Sequence, residues 1–138
     1  MAEKIKLRLV TPNRVLLDEE VNEVSAPGSL GEFGVLPLHI SFLSRLEPGE
    51  MSYKQGGQRS RLAVSGGYAE VLADVMTVLA DAAEFAEEID VERARRAKER
   101  AERKLAELSR DDKEFAVATA ALRRALVRLQ VAGKEARR

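Results

Sequence analysis

The spacing of hydrophobic positions changes once along this chain, close to residue 88. Lys4, Ile5, Lys6, Leu7, Arg8 and Leu9 alternate polar and apolar without a fault, which is the period of a strand with one wet face and one in a core. "TPNR", "SAPGSLGEFG", "EPGE" and "KQGGQ" then punctuate the segment as turns between short strands. All four prolines and eight of the nine glycines precede residue 68. Gly56 and Gly57, between "EMSY" and "RSRLAVS", predict a tight hairpin. "RSRLAVSGGYAEVLA" and "VMTVLADA" supply further strands, joined near Ala73 and Asp74. Roughly eight to ten strands fit this punctuation. The first domain, residues 1–86, is thus predicted to be an antiparallel β-sandwich or flattened barrel.

Beyond residue 88 proline vanishes, one glycine remains, and Ala, Glu, Lys, Arg and Leu dominate. The period becomes helical. Asp90 suits an N-cap and Glu92 the first turn. Ala94, Ala97, Ala101, Leu105 and Leu108 form one apolar stripe. "SRDDK" breaks the pattern, and Ser109 or the Asp111/Asp112 pair can cap a second helix over about 113–132. Its inward face holds Phe115, Ala118, Leu122, Ala125 or Leu126, and Leu129. So short a link makes the helices antiparallel or merges them into one rod. The fold class is β + α, a sandwich followed by a two-helix antiparallel hairpin over residues 87–138. A hairpin faced mostly with alanine docks weakly, at about 0.8 kcal/mol per buried carbon, while its residues favour helix wherever it lies. Such an element suits two packed arrangements that a partner or ligand selects.

Lysine plus arginine and aspartate plus glutamate both total 23, so no global field draws the molecule to nucleic acid or an anionic membrane. The balance hides a dipole: residues 1–88 hold 8 basic and 14 acidic side chains, net −6, and residues 89–138 hold 15 and 9, net +6. Without cysteine and with a single histidine, thiolate catalysis, disulfides and Cys or His metal clusters are not expected. The first ten residues read as neither signal nor transit peptide, and no apolar run reaches the roughly 20 residues of a spanning helix. A cytoplasm-like compartment is expected.

Arg93, Arg96, Arg100 and Arg103 share a helix face, and Arg124 and Arg128 form an i, i+4 pair on the second helix. One reading is a solvated surface laced by salt bridges to the interleaved Glu92, Glu99 and Glu102. The other is an anion site, since arginine is the better bidentate partner for phosphate and carboxylate. Asp90 would repel a phosphate from the helix start but could accept from an adenine amino group, with a triphosphate lying along the roughly 10 Å from Arg93 to Arg100. A nucleic-acid-binding hairpin is a rival, although four phenylalanines and two tyrosines offer little for stacking. A protein-binding module is another. No P-loop or nucleophile constellation supports an enzyme.

Three pieces carry a resemblance: "LRLVTPNRVLLDEEVNEVSAPGSLGEFGVLPLHISFLSRLEPG", "AVSGGYAEVLADVMTVLADAAE", and "IDVERARRAKERAERKL" followed by "ALRRALVRLQVA". In that order and spacing the chain resembles the epsilon subunit of bacterial and chloroplast F-type, proton-translocating ATP synthase. The resemblance implies a non-catalytic subunit whose sandwich joins the gamma subunit of the central stalk to the c-subunit ring. It also implies a mobile hairpin that restrains ATP hydrolysis by reaching the alpha and beta subunits. It places Glu32 and His39 at the stalk and ring interfaces, and Leu38 where relatives often carry glycine. Gly31, Gly34, Gly66 and Gly67 remain turn or bulge positions rather than a phosphate loop. The run Ile89, Asp90, Val91, Glu92, Arg93, Ala94 matches a motif with which some relatives bind ATP, and Glu84, Arg100, Arg124 and Arg128 would join it. No cofactor or metal is required; ATP is an optional regulatory ligand. The expected location is peripheral, on the cytoplasmic face of the bacterial plasma membrane.

Overall fold

A computed structural model describes residues 3–39 and 41–136. The chain forms two compact units that divide between Phe85 and Ala86. In the first, eight strands follow in order: β1 Ile5–Val10, β2 Val15–Val21, β3 Glu23–Gly28, β4 Gly31–Val35, β5 Phe42–Gln55, β6 Gln58–Leu72, β7 Val75–Ala80 and β8 Ala83–Phe85. Their hydrogen-bonded order is β2-β1-β7-β6-β5-β3-β4, with β8 beside β6. The alternation in β1 does what its period requires: Ile5, Leu7 and Leu9 are buried while Lys6 and Arg8 lie outward and meet Asp18 of β2. They join Val21, Val24, Val35, Met51, Leu62, Val64, Val71, Met76 and Val78 in one continuous core.

Two features differ from the expected antiparallel sandwich or flattened barrel. β1 pairs with β7 in parallel, Leu7 opposite Met76, so the sheet is mixed. Period-2 alternation is the same for either direction, and only the crossover topology chooses between them. Among the described residues the strand path does not close: β2 and β4 end it. The two long strands, β5 and β6, serve both layers. Residues 67–72 of β6 pair with β7, whereas residues 62–64 pair with β8, and Glu23, Val24 and Ser25 of β3 meet β5 at Lys54, Tyr53 and Ser52. Gly66 and Gly67 sit at the change of partner with φ of 112° and 126°. A Cβ on Gly67 would collide with the carbonyl oxygen of Leu79, so this corner admits only glycine. Gly56 and Gly57 make the β5–β6 turn, also at positive φ.

In the second unit a short 3-10 turn at Ala86–Glu88 leads to α1 Val91–Glu107 and α2 Lys113–Ala136. The second helix outruns the expected end near residue 132: Gly133 lies inside it, with open space around its α-carbon. A single helical glycine costs about 1 kcal/mol, which the helix-forming residues on both sides offset. The helices pack along each other, and the 3-10 turn before α1 touches α2, so the chain turns back at 108–112 into an antiparallel hairpin. That link is bonded to itself. Ser109 N–H donates to Asp112 Oδ2 at 2.9 Å and Asp111 N–H to Ser109 Oγ at 3.3 Å. Asp112 thus precedes α2 at the cap position, but its carboxylate holds the link instead of the first turn.

Candidate functional site

The start of α1 builds the candidate site from its motif. Asp90 is the N-cap, and its Oδ1 accepts the N–H of Arg93, the third helical residue, at 3.1 Å. Ile89 and Ala94 occupy the positions on either side of a cap where a hydrophobic staple forms, and both are buried. Helix initiation therefore accounts for Ile89, Asp90 and Ala94 whether or not a ligand binds. Arg93 is the exception. It is exposed, and a capping box would place Glu or Gln there.

The expected stripes face inward. Ala94 and Ala101 of α1 and Ala118 and Ala125 of α2 are buried, and Ala97, Leu105, Leu108, Phe115, Leu122 and Leu129 are partly so. Of the Ala125 or Leu126 alternative, Ala125 is inward and Leu126 is 43% exposed. Buried alanines recur seven residues apart on both helices, a heptad seam. In an antiparallel pair this spacing lets Ala94 lie level with Ala125 and Ala101 with Ala118. Val131, fully buried yet well round α2 from that seam, escaped the helical-stripe reading.

Arg93, Arg96, Arg100, Arg103 and Arg124 are exposed and Arg128 is half-buried. At about 100° per residue, Arg93 and Arg100 lie roughly a quarter to a third of a turn from the alanine seam and Arg96 and Arg103 nearer half a turn, while Arg124 and Arg128 lie about a fifth to a third of a turn from theirs. The rotational sense is the same on both helices. Because the helices run oppositely, an equal sense puts Arg93 and Arg100 on the same side of the hairpin as Arg124 and Arg128, with Arg96 and Arg103 further round toward the outer face of α1. Register sets Arg93, Arg124 and Arg128 within about one turn of height, with Arg100 one to two turns further along.

The interleaved glutamates do not neutralise this face. Glu92 pairs with Arg95, off the stripe, at 2.6 Å, and no ion pair joins Arg93, Arg96, Arg100 or Arg103 to a described residue. Guanidinium groups arrayed in this way can take a phosphate or carboxylate by paired hydrogen bonds. The other Asp90 oxygen retains acceptor capacity. Glu84 belongs to the first unit, on β8 opposite Ala63 of β6, and is partly buried.

Glu32 and His39 lie near each other in sequence but in different settings. Glu32 is exposed on β4, opposite Pro27. His39 follows the strand in a tight turn, its N–H donating to Leu36 O at 3.2 Å and its ring 5.0 Å from that of Phe42. Leu38, between them, has φ of 65°. Leucine thus adopts here the left-handed conformation that glycine takes without strain. Its N–H donates to Asp74 Oδ1 at 2.7 Å, a contact that sequence spacing does not reveal across 36 residues. Among the described residues no group of three His, Cys, Asp or Glu side chains could hold a metal ion, and no helix is long and apolar enough to cross a membrane.

Comparison with known proteins agrees with this architecture. Residues 4–86 match the family model for the ATP synthase delta/epsilon chain β-sandwich domain, and residues 87–133 that for its long α-helix domain. The chain is 56% identical over 138 residues to the ATP synthase epsilon chain of Geotalea daltonii, covering all of both. It is 59% identical over 134 residues to that of Syntrophobacter fumaroxidans, covering 97% of this chain and 99% of the other. In a solved structure of the Euglena gracilis mitochondrial ATP synthase (OSCP/F1/c-ring), one chain superposes with a TM-score of 0.80 at 28% identity, over 98% of this chain and 82% of that one. A chain of the Tetrahymena thermophila mitochondrial ATP synthase central stalk and c-ring shares the fold, with a TM-score of 0.61 at 12% identity, over 94% of this chain and 97% of that one. Both domain models in sequence order and relatives aligned from end to end lead to one assignment: the chain belongs to the epsilon-chain family of ATP synthase.

Proposed function

We infer that this chain is a non-catalytic central-stalk subunit of a proton-translocating ATP synthase, with labour divided between residues 1–86 and 87–138. The sandwich joins the gamma subunit to the c-subunit ring, with Glu32 and His39 at those interfaces, so that stalk and ring turn together. The hairpin restrains ATP hydrolysis when ATP is scarce, opening toward the alpha and beta subunits. ATP is the regulatory ligand, with Asp90 accepting from the adenine amino group, Arg93, Arg100, Arg124 and Arg128 holding the phosphates, and Glu84, Ile89 and Ala94 completing the set. The subunit sits peripherally on the cytoplasmic face of the bacterial plasma membrane.

One observation carries this reading: Arg93, Arg96, Arg100 and Arg103 share a face of α1 and none of them makes an ion pair with a described residue, on a hairpin closed by an alanine seam. Such a face can take phosphates in one state or acidic side chains in another. The energies are of the right size. Ligand at 100 times its dissociation constant favours the state that binds it by about 2.7 kcal/mol, comparable with the docking of a few methyl groups. Family membership and the acidic first unit speak against the nucleic-acid alternative.

Removing residues 89–138 from the assembled enzyme is the test. ATP synthesis should largely survive while inhibition of hydrolysis drops. Unchanged inhibition would refute the regulatory role of the hairpin, and lost synthesis would refute the division of labour.

A further inference from the structure

Val131 is fully buried on α2 although it lies well away from the alanine seam. Arg124, Arg128 and Val131 are spaced by four and three, so the valine continues the arginine stripe of that helix. With Ala125 level with Ala94, Val131 stands about 9 Å further along α2, at the height of residue 88. α1 begins only at Val91, so the valine lies past its end. The element that reaches this height is the 3-10 turn at Ala86–Glu88, which packs on α2.

The turn is shaped for that contact. Its closing bond runs from the Ile89 N–H to Ala86 O at 3.3 Å, and side chains three apart on a 3-10 helix eclipse one another. Ala86 and Ile89 therefore share one side and are buried, at 4% and 8% exposure, while Glu87 and Glu88 are exposed. Asp90, the cap of α1, follows directly. The start of the motif is thus set by packing against the other helix, on the stripe of α2 that carries Arg124 and Arg128.

We propose that Val131 is the positioning residue for the start of α1: it seats the Ala86–Glu88 turn against α2 and so holds Ile89 and Asp90 beside Arg124 and Arg128. The parts of the anion site then meet only while this turn is seated. By linkage, a bound ligand strengthens the seating by the same factor as the seating strengthens the ligand. This rests on the reading above that ATP binds at these residues.

The test uses the full chain with Val131→Gln and Val131→Ile. Glutamine keeps the helix and adds no charge, but sets an amide in an apolar contact; isoleucine keeps a branched apolar side chain. Amide hydrogen exchange of Ile89, followed by NMR, should accelerate about tenfold or more in Val131→Gln and little in Val131→Ile. The amide of Ala118, toward the other end of α2, should exchange as in the wild-type chain. The dissociation constant for ATP should rise about tenfold in Val131→Gln and return in Val131→Ile, and saturating ATP should slow Ile89 exchange in the wild-type chain. An unchanged Ile89 rate, an equal acceleration at Ala118, or an Ile89 amide fully released in Val131→Gln with ATP affinity intact would overturn the proposal. A wild-type chain that binds no ATP, yet releases Ile89 in Val131→Gln, would instead refute the nucleotide reading and leave the seated turn standing.

Discussion

Arg59 of β6 reaches across β5 to Glu23 of β3: its Nη2 lies 2.6 Å from Glu23 Oε1, and its Nη1 donates to Ser52 Oγ at 2.8 Å on the way. Ser52 is buried, and both charged side chains are about one-third exposed or less. One planar guanidinium therefore ties three adjacent strands, which a point cation cannot do from one position.

Arg59→Ala should lower the unfolding free energy by about 1–2 kcal/mol, because Ser52 then loses a partner out of water. Arg59→Lys should recover less than half. Urea unfolding of the two variants checks this, and equal stabilities would show that the guanidinium fork adds nothing.

Gly67→Ala should be the more damaging change. Alanine there meets both a φ of 126° and the Leu79 carbonyl. The expected loss exceeds about 3 kcal/mol, seen as a large fall in melting temperature or failure to fold. Gly133→Ala is the opposite case: it lies in open helix and should raise helix stability by about 1 kcal/mol.

Asp90→Ala should cost α1 about 1 kcal/mol through its cap, and Asp90→Ser should restore the melting temperature because serine also accepts the Arg93 N–H. ATP titration of Asp90→Ser then isolates the ligand role. Affinity should remain reduced if the second carboxylate oxygen meets adenine, and full affinity would reduce Asp90 to a cap.

Ala118→Leu should overfill the seam between the helices at a cost of about 1–3 kcal/mol. Far-ultraviolet circular dichroism should keep its helical signal, since leucine is a good helix former. Limited proteolysis after Arg110, in the exposed link, should quicken as the hairpin opens. Unaltered cleavage would mean the seam does not set hairpin closure.

The period of its apolar residues and its glycine and proline punctuation, by themselves, marked out this chain's two parts, the inward residues of β1, the hairpin turns at Gly56 and Ala73, the α1 stripe, and the α2 stripe up to the choice between Ala125 and Leu126. Each of these depends on neighbours within a few residues, where geometry is dictated by backbone period and turn chemistry. Asp90 was legible as a cap for the same reason. Folding in three dimensions decided what local spacing cannot carry. The parallel pairing of β1 with β7 depends on the path of the chain between them, and the open strand path on how the long β5 and β6 pass between layers. The Leu38 to Asp74 bond and the Arg59 fork join residues 36 apart, so no period announces them. The arginine stripe lay between the two. Its sharing of one α1 face was readable from 3.6 residues per turn, but whether Glu92 would neutralise it depended on which arginine that carboxylate reached, and it reached Arg95.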